Sequence, residues 1–329
     1  MRLRCLAVLA ITACGGGCSS AGLLVTVSDV PLPGGATRFD YQEIDAAKGQ
    51  LVVAHMNDNA VLILDLASGA VRKQLPNIDT PRGIAVANDV NTIFVTSMPN
   101  QLVLIDGSAL TEITRVATGN APDGDAWDPD DKIVGVSDQG DGALSLIANA
   151  GMGTRTQVPL GVETGNVVYD AGRRQFWITA VQPSPPDQLV EVDPNLATVT
   201  AMIPLPGCDG AHGLRLHPDG QSAFIACENN SQLARVDLGG MHAVSLGPTG
   251  NGPDVLSIDP GLGWLYVAAE SGDLTMFDIT KAGVALVGHA SPGANSHTVA
   301  ADPATHRLFF PLPAGPNGTP VLRIMRPAH

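Results

Sequence analysis

One unit of about forty residues recurs seven times along the 329-residue chain, and this repeat constrains the fold more than any other feature. In its clearest copy, one apolar run ends at Asp259, a second covers residues 264–268 and a third ends at Asp278. The residues corresponding to Asp259 are, in chain order, Asp45, Ala87, Asp128, Asp170, His217, Asp259 and Asp302. A sustained period of this length is typical of proteins built from stacked supersecondary units.

The end of the third apolar run provides a second, independent register. It falls at Asp65, Asp106, Ala148, Asp193, Asp237, Asp278 and Met325. The runs are short, rich in Val, Ile, Leu and Phe, and separated by Gly, Pro, Asn and Asp, which is the pattern of strands joined by turns. The intervening segments lack the length and 3.6-residue period of helices, so each unit is predicted to contain strands only.

Four antiparallel strands in a unit of this length form the blade of a β-propeller. We therefore predict an all-β fold, a seven-bladed β-propeller of four-stranded antiparallel blades. The seventh unit lacks a fourth strand, and an additional strand at residues 24–28 precedes the first unit. This N-terminal strand is predicted to complete blade 7 and close the ring, which leaves no long open edge. Residues 24–329 would then form one domain.

The N-terminus has the pattern of an export signal, in which Arg2 and Arg4 precede a short apolar run. The run is too short to span a membrane as a helix. It ends in Ile11-Thr12-Ala13-Cys14, which resembles a bacterial lipoprotein signal. This resemblance predicts a signal peptide at 1–13, lipidation of Cys14 and a tether at 14–23. The alternative is an ordinary signal peptide that is cleaved after Ala21.

The repeat resembles the YncE-like proteins, also called the YVTN family of seven-bladed propellers. The segments that carry the resemblance are 263–268 and 91–96, together with the inter-blade segments 80–83 and 121–124. The resemblance implies the propeller fold. It does not imply one function, because propellers include binding proteins, lactonases, lyases and redox enzymes.

The first strand of each blade lines the central channel of a propeller, so residues at one register position should form a ring. The residue five places before each position of the first register is predicted to begin the first strand. In chain order these residues are Asp40, Arg82, Asp123, Gly165, His212, Asp254 and His297. Six of the seven are ionisable. We therefore expect a polar mouth that could bind a cation, an anion or a polar small molecule. The simplest alternative is a solvated channel that binds only water.

The loop between the second and third strands opens on the same face as this ring. It adds His55, Asn57, Asp58, Asp138, Glu228, Asn229 and Glu270. The imidazoles and carboxylates of His212, Asp254 and His297 could hold Zn²⁺, Mn²⁺ or Fe²⁺, whereas carboxylates combined with Asn could hold Ca²⁺. A divalent metal ion is therefore the one cofactor that the sequence suggests.

The chain has five cysteines, at positions 5, 14, 18, 208 and 227. Cys208 and Cys227 are predicted to lie at the same end of the first hairpin of blade 5, where a disulfide can form. Export to an oxidising compartment favours a structural disulfide. The alternative is a redox or metal-binding pair that acts with His212.

The formal net charge of −14 argues against binding to nucleic acid. The motifs of serine hydrolases, phosphate-binding loops, haem attachment and zinc-protease helices are absent from the sequence. We therefore expect a monomeric protein of the bacterial cell envelope, lipid-anchored at the outer membrane or cell surface, or periplasmic or secreted if Cys14 is not lipidated. It would bind a small molecule or an envelope protein at the channel mouth without catalysis. The main alternative is a metal-dependent, lactonase-like hydrolase that uses the same mouth, and an accessory protein of a periplasmic redox system is a third hypothesis.

Overall fold

The computed structural model describes residues 22–281 and 283–328. Within this part of the chain, 28 strands form seven four-stranded antiparallel sheets arranged in a ring. The protein is therefore a seven-bladed β-propeller, as predicted. No helix among the described residues has the length and apolar character needed to cross a membrane. The predicted signal peptide, with Cys14 and Ala21, lies outside the described residues.

The two inner strands of each blade follow one another along the chain and form a hairpin. The first strands, which line the channel, are Gln42–Asp45, Pro81–Ala87, Pro122–Asp128, Glu163–Asp170, Ala211–Leu216, Pro253–Asp259 and Ala300–Asp302. The second strands are Gln50–His55, Thr92–Ser97, Ile133–Asp138, Gln175–Val181, Ser222–Cys227, Trp264–Ala269 and Arg307–Leu312.

The two outer strands continue the same antiparallel meander towards the surface. The third strands are Ala60–Asp65, Gln101–Asp106, Ala143–Ile147, Asp187–Asp193, Gln232–Asp237, Leu274–Asp278 and Val321–Pro327. The fourth strands are Val71–Pro76, Glu112–Ala117, Arg155–Pro159, Thr198–Leu205, His242–Pro248, Ala285–Ala290 and, for blade 7, Leu24–Pro31.

The hydrophobic core lies between the blades. In blade 1 the second strand, Gln50–His55, is buried throughout, and the third strand, Ala60–Asp65, is buried up to its last residue, whereas most of the fourth, Val71–Pro76, is exposed. Ile63 of blade 1 packs in one cluster with Ile93 of blade 2. Because both faces of a blade are covered by its neighbours, the inner strands have continuous apolar sequences rather than alternating apolar and polar residues.

The N-terminal strand closes the ring, as predicted. It extends from Leu24 to Pro31, three residues longer than expected, and pairs antiparallel with Val321–Pro327. Arg323 adds an ion pair across this junction, with Nε and Nη2 at 2.8 and 2.7 Å from the two carboxylate oxygens of Asp29. Backbone pairing and an ion pair therefore hold the two ends of the propeller together.

Cys208 and Cys227 form a disulfide, with their Cα atoms 5.2 Å apart. Cys227 ends the second strand of blade 5, and Cys208 immediately precedes the first strand. The prediction of a bridge across one end of this hairpin is confirmed.

Candidate functional site

The candidate site is a cavity of about 410 Å³ at one end of the channel, which we call the upper mouth. Its walls come from the starts of the first strands and from the loops between the second and third strands. The lining residues are Arg38, Asp40, Tyr41, Met56, Asn57, Arg82, Asp123, Gln139, His212, Glu228, Asp254 and Glu270. Five of the seven predicted ring residues, together with Glu228 and Glu270, therefore line a single cavity.

The ring residues reach the channel because the first strands are irregular where they occur. In blades 2 to 6 the pairing of the first and second strands is interrupted at the ring position, for example between Ala211 and Leu214 around His212. Such irregularities redirect side chains out of the sheet. In blades 1 and 7 the strands begin only at Gln42 and Ala300, after the ring residues. The prediction that the ring residue begins the first strand is therefore wrong for these two blades.

Hydroxyl groups of the second strands satisfy the backbone groups left unpaired at these irregularities. Thr96 Oγ1 accepts a hydrogen bond from the Gly83 amide at 2.8 Å and donates one to the carbonyl oxygen of Asp123 at 2.6 Å. Thr179 donates a similar bond to the carbonyl of His212 at 2.9 Å. Each hydroxyl therefore ties its own blade to the ring residue of the next one.

Glycine at two positions allows neighbouring blades to approach closely at this mouth. A Cβ atom at Gly213 would overlap the carbonyl oxygen of Asp254. At Gly165, the ring position of blade 4, a Cβ would lie 2.7 Å from the Cα of His212. Blade 4 therefore has no room for a ring side chain, and the ring consists of six side chains rather than seven.

Arg38 makes the most extensive ion pair of the upper mouth, and it is absent from the residues predicted for this site. Its Nη1 and Nη2 atoms lie 3.0 and 2.6 Å from Oε2 and Oε1 of Glu270. Nη2 also lies 3.8 Å from Oδ2 of Asp254. Arg38 precedes the ring residue Asp40 by two positions in a segment outside the repeat, so only its proximity in sequence could have indicated it.

Arg82 is paired with the ring residue of the next blade. Its Nη1 lies 3.2 Å from Asp123 Oδ1 and donates a hydrogen bond of 3.0 Å to Gln139 Oε1. Gln139 in turn donates a hydrogen bond to Glu163 at 2.9 Å. The position of Gln139 directly after Asp138, in a loop already assigned to this face, could have identified it. Both arginines of the mouth are therefore engaged by carboxylates of the mouth itself.

His212 lies between two ring carboxylates. Its Nε2 is 3.4 Å from Asp123 Oδ2 and 3.7 Å from Asp254 Oδ1. Burial alone would lower the pKa of His212, but the charges of Asp123 and Asp254 outweigh burial and raise it. Burial has the opposite effect on a carboxyl group. It raises the pKa of Asp254 to about 7, although the charges of His212 and Arg38 act to lower this pKa. Both pKa values are therefore raised, which favours the protonated forms of His212 and Asp254.

A second group of ring residues converges beside Arg38. Asp40, Asp254 and His297 are buried, and each offers one ligand atom within 4.8 Å of the other two. Burial and the nearby carboxylates of Asp254 and Asp123 raise the pKa of Asp40 well above its usual range. Burial and the charge of Arg38 lower the pKa of His297 to about 4. Neither ring nitrogen of His297 has a hydrogen-bond partner of normal geometry in the described part of the chain.

The grouping differs from the one that the sequence suggested for a metal. His212, Asp254 and His297 were expected to act together, but the triad whose ligand atoms converge is Asp40, Asp254 and His297. His212 contacts Asp254 from another side, next to Asp123. His297 lies in the wall of a smaller adjoining cavity of about 200 Å³, which it shares with Arg38 and Glu270.

Several predicted residues have structural roles outside the upper mouth. His55 is buried, stacks on Phe39 with ring centroids 4.0 Å apart and contacts the hydroxyl of Thr37. Asp138 accepts hydrogen bonds from Ser145 and from the amide of Gly119. Two further members of the set bond to neighbouring loops. They are Asp58, which accepts from Thr37, and Asn229, which donates to Asp209.

The charges of the upper mouth do not balance. Its lining includes the carboxylates of Asp40, Asp123, Glu228, Asp254 and Glu270, against two guanidinium groups. Arg38 neutralises Glu270, Arg82 neutralises Asp123, and protonated His212 can compensate one further carboxylate. Asp40 and Asp254 have raised pKa values and so bind protons more readily than exposed carboxylates do. A cation that entered the mouth could take the place of these protons.

Comparisons with known proteins agree on the fold. Neither a scan against protein-family models nor a search of curated proteins found a match. Among solved structures, the chain is similar to hydrazine synthase of Kuenenia stuttgartiensis, with 16% identity, a TM-score of 0.75 and coverage of 91% of this chain and 97% of the other. It is also similar to a chain of the mitotic checkpoint complex, with 11% identity, a TM-score of 0.75 and coverage of 99% and 98%.

A third similar structure is U3-55K, with 8% identity, a TM-score of 0.74 and coverage of 91% of this chain and 98% of the other. The three proteins come from different biological systems, and their sequence identities to this chain are between 8% and 16%. Their similarity therefore establishes the propeller fold alone.

Proposed function

We propose that this protein binds a small, polar, positively charged ligand at the upper mouth, without catalysis. The observation that carries the proposal is the excess of carboxylates over arginines in the lining of this cavity. Because both arginines are already paired with carboxylates, an anionic ligand would have to break an existing ion pair. A cation would instead meet Asp40 and Glu228, together with Asp254, whose neighbour Arg38 is held more closely by Glu270.

The shape of the mouth supports the same function. The Arg38–Glu270 and Arg82–Asp123 pairs link neighbouring elements, so the walls are held in place before a ligand arrives. Preorganisation of this kind favours binding because few side chains need to be ordered on association. Burying carboxylates without a positive partner also costs free energy, and a bound cation would reduce that cost.

Binding of putrescine, compared with its neutral analogue butanediol and the dianion succinate, tests this proposal. Putrescine should bind most tightly by calorimetry, and Asp254→Asn should weaken its binding by about tenfold or more, since one charged hydrogen bond is lost. Glu191→Gln is the matched control, because Glu191 lies on the third strand of blade 4 and its carboxylate accepts a hydrogen bond from Thr200. Preferential binding of succinate, or binding that survives Asp254→Asn unchanged, would refute the proposal.

A metal-dependent hydrolase, such as a lactonase, is the second candidate, and the convergence of Asp40, Asp254 and His297 favours it. One imidazole and two carboxylates suit Zn²⁺, Mn²⁺ or Fe²⁺. The unpartnered nitrogens of His297 fit this role. A bound divalent ion would lower the pKa of a water and so supply a nucleophile for ester hydrolysis. Arg38 would stay on Glu270, its nearer partner, and Asp254 would exchange its longer contacts with Arg38 and His212 for the metal.

Elemental analysis of protein purified without added metal separates the two candidates. Two results would establish the hydrolase. The wild type would contain stoichiometric metal and hydrolyse a lactone, and His297→Ala would lose both the metal and the activity. Metal-free protein that still binds putrescine would establish the binding protein.

For the cellular setting, we propose a lipid-anchored, monomeric protein of a bacterial cell envelope that belongs to the YncE-like group. The Ile11–Cys14 run supports the anchor, and the repeat motifs support the family. The disulfide is compatible with an oxidising compartment. The ligand is then a small molecule, or a basic segment of an envelope protein that presents the same charge. The net charge of −14 argues against nucleic acid as a partner.

A further inference from the structure

A second cavity, of about 460 Å³, lies at the other end of the channel, and we call it the lower mouth. It is lined by residues two to four places further along the first strands than the ring residues, and by the loops that follow these strands. Its walls combine apolar side chains such as Val167 and Leu216 with Trp127 and Tyr169. This composition differs from that of the upper mouth and is typical of sites for small organic molecules.

An ion pair crosses the channel beside this cavity. Arg215 Nη2 of blade 5 lies 3.2 Å from Glu43 Oε2 of blade 1, although these blades are not neighbours in the ring. Arg215 Nε also donates a hydrogen bond of 2.9 Å to the carbonyl of Leu256. A smaller cavity of about 210 Å³, which Glu43 and Arg215 also line, lies beside the pair. Because Glu43 and Arg215 neutralise each other, they leave no net charge in the lower mouth.

Asp125 is the remaining charged residue in the lining of the lower mouth. It is 8% exposed, and neither of its carboxyl oxygens accepts a hydrogen bond of normal geometry from residues 22–281 or 283–328. Burying a carboxyl group without hydrogen-bond partners costs free energy unless a ligand supplies a partner. Burial and the charge of Glu43 raise the pKa of Asp125 well above its usual range, although the amides of Ala85 and Asp125 itself act in the opposite direction.

We propose that the lower mouth is a binding site for a small amphiphilic amine. Its ammonium group would pair with Asp125, and its apolar body would lie against Val168 and Leu216 between Trp127 and Tyr169. This inference does not depend on the function proposed for the upper mouth, because the two cavities share no lining residue.

The charges and walls of the cavity select this ligand class over its alternatives. An anion would meet the carboxyl group of Asp125 with no unpaired arginine nearby. A fully polar cation would leave the apolar walls in contact with water, and an apolar molecule would leave Asp125 without a partner. An amine attached to a hydrocarbon or aromatic group satisfies both parts of the cavity, since a charged hydrogen bond and apolar burial act together.

Three probes of similar size but different charge test the proposal: phenethylamine, phenethyl alcohol and phenylacetate. In titrations of the folded protein followed by NMR, phenethylamine should bind about tenfold or more tightly than the alcohol, and phenylacetate should bind most weakly. Asp125→Asn, which keeps the shape of the side chain, should abolish the preference for the amine over the alcohol. Glu191→Gln removes a carboxylate elsewhere on blade 4 and should leave all three affinities unchanged.

A second variant covers the case in which Asp125→Asn fails to fold. Val168→Phe adds volume to the wall of the lower mouth and should exclude both phenethylamine and phenethyl alcohol. Equal affinities for amine and alcohol in the wild type would overturn the proposal. So would amine binding that persists in both folded variants, because the amine would then be bound elsewhere.

Discussion

Arg38 forms a bidentate ion pair with Glu270, at 3.0 and 2.6 Å, and so joins the segment before blade 1 to blade 6 across the upper mouth. Burial would raise the pKa of Glu270, but its bonds to Arg38 outweigh burial and lower it. Glu270 is therefore ionised at neutral pH and occupied by Arg38. The pair fixes one wall of the mouth and keeps one positive charge inside a site that we propose for cations.

Arg38→Gln should therefore increase the affinity of the upper mouth for putrescine. Removing a nearby unit charge in a watery site is worth roughly 1 kcal/mol, or about fivefold in affinity. The cost in stability should be at most about 1 kcal/mol, because both side chains are about a third exposed. Calorimetry and thermal unfolding measure the two effects. Arg72→Gln removes a paired arginine from the outer side of blade 1 and serves as the control. A fall in putrescine affinity would contradict the cation model.

His297→Gln should reduce the sensitivity of the fold to acid. The pKa of His297 is lowered to about 4 in the folded protein, whereas in the unfolded chain it is about 6.5. Between these values the unfolded chain binds the additional proton, so stability rises with pH through this window and is lost as the pH falls. The contribution is at most about 3 kcal/mol, at ~1.36 kcal/mol per pKa unit.

Urea unfolding of the wild type and His297→Gln at several pH values between 4 and 7 measures this effect. The variant should lose less stability than the wild type on going from pH 7 to pH 4. His242→Gln, a substitution of an exposed histidine on blade 5, is the control and should follow the wild type. Parallel curves for wild type and His297→Gln would mean that His297 titrates normally.

Opening the Cys208–Cys227 disulfide should destabilise the protein by about 3 kcal/mol, given a sequence separation of 19 residues. The loss should be similar in the double variant Cys208→Ser and Cys227→Ser, measured by urea unfolding without reductant. Intact mass should rise by two hydrogens when the wild type is reduced. Two thiols that react with an alkylating agent in the native, unreduced protein would rule out the bridge in solution.

Deleting residues 24–31 should open the ring. The deletion removes the ladder to Val321–Pro327 and the ion pair of Asp29 with Arg323, so stability should fall by at least about 3 kcal/mol at about 0.5–1.5 kcal/mol per hydrogen bond. The exposed strand edge should also promote self-association, visible by light scattering. Val27→Ser on the exposed face of the same strand should change stability by about 0.5 kcal/mol or less. A monomeric truncated protein of unchanged stability would show that the strand is dispensable.

Cys14→Ser should release the protein from membranes if Cys14 carries the predicted lipid. Cell fractionation of the full-length chain, with the wild type for comparison, measures the distribution. Cys18→Ser preserves the predicted cleavage run and should remain membrane-bound. A soluble wild type whose first residue is Gly22 would instead support cleavage after Ala21.

Much of the fold was predictable because the repeat is periodic in sequence and each copy has to bury the same faces. Two registers, such as those of Asp259 and Asp278, gave seven blades and the order of strands within them. The missing fourth strand of the last unit also predicted closure by residues near Leu24. The disulfide followed from the hairpin, since both cysteines fall at one end of two paired strands.

The repeat in the sequence indicates which side chains share a level in the channel, because equal register places them at equal height. Which of these side chains meet depends on the folded ring. Side chains that cross a channel reach partners on blades far away in sequence, so Arg38 binds Glu270 and Arg215 binds Glu43 without any repeating pattern to indicate it. Close packing of blades 4 and 5 removes Gly165 from the ring. The late start of the first strands in blades 1 and 7 brings Asp40 and His297 together with Asp254.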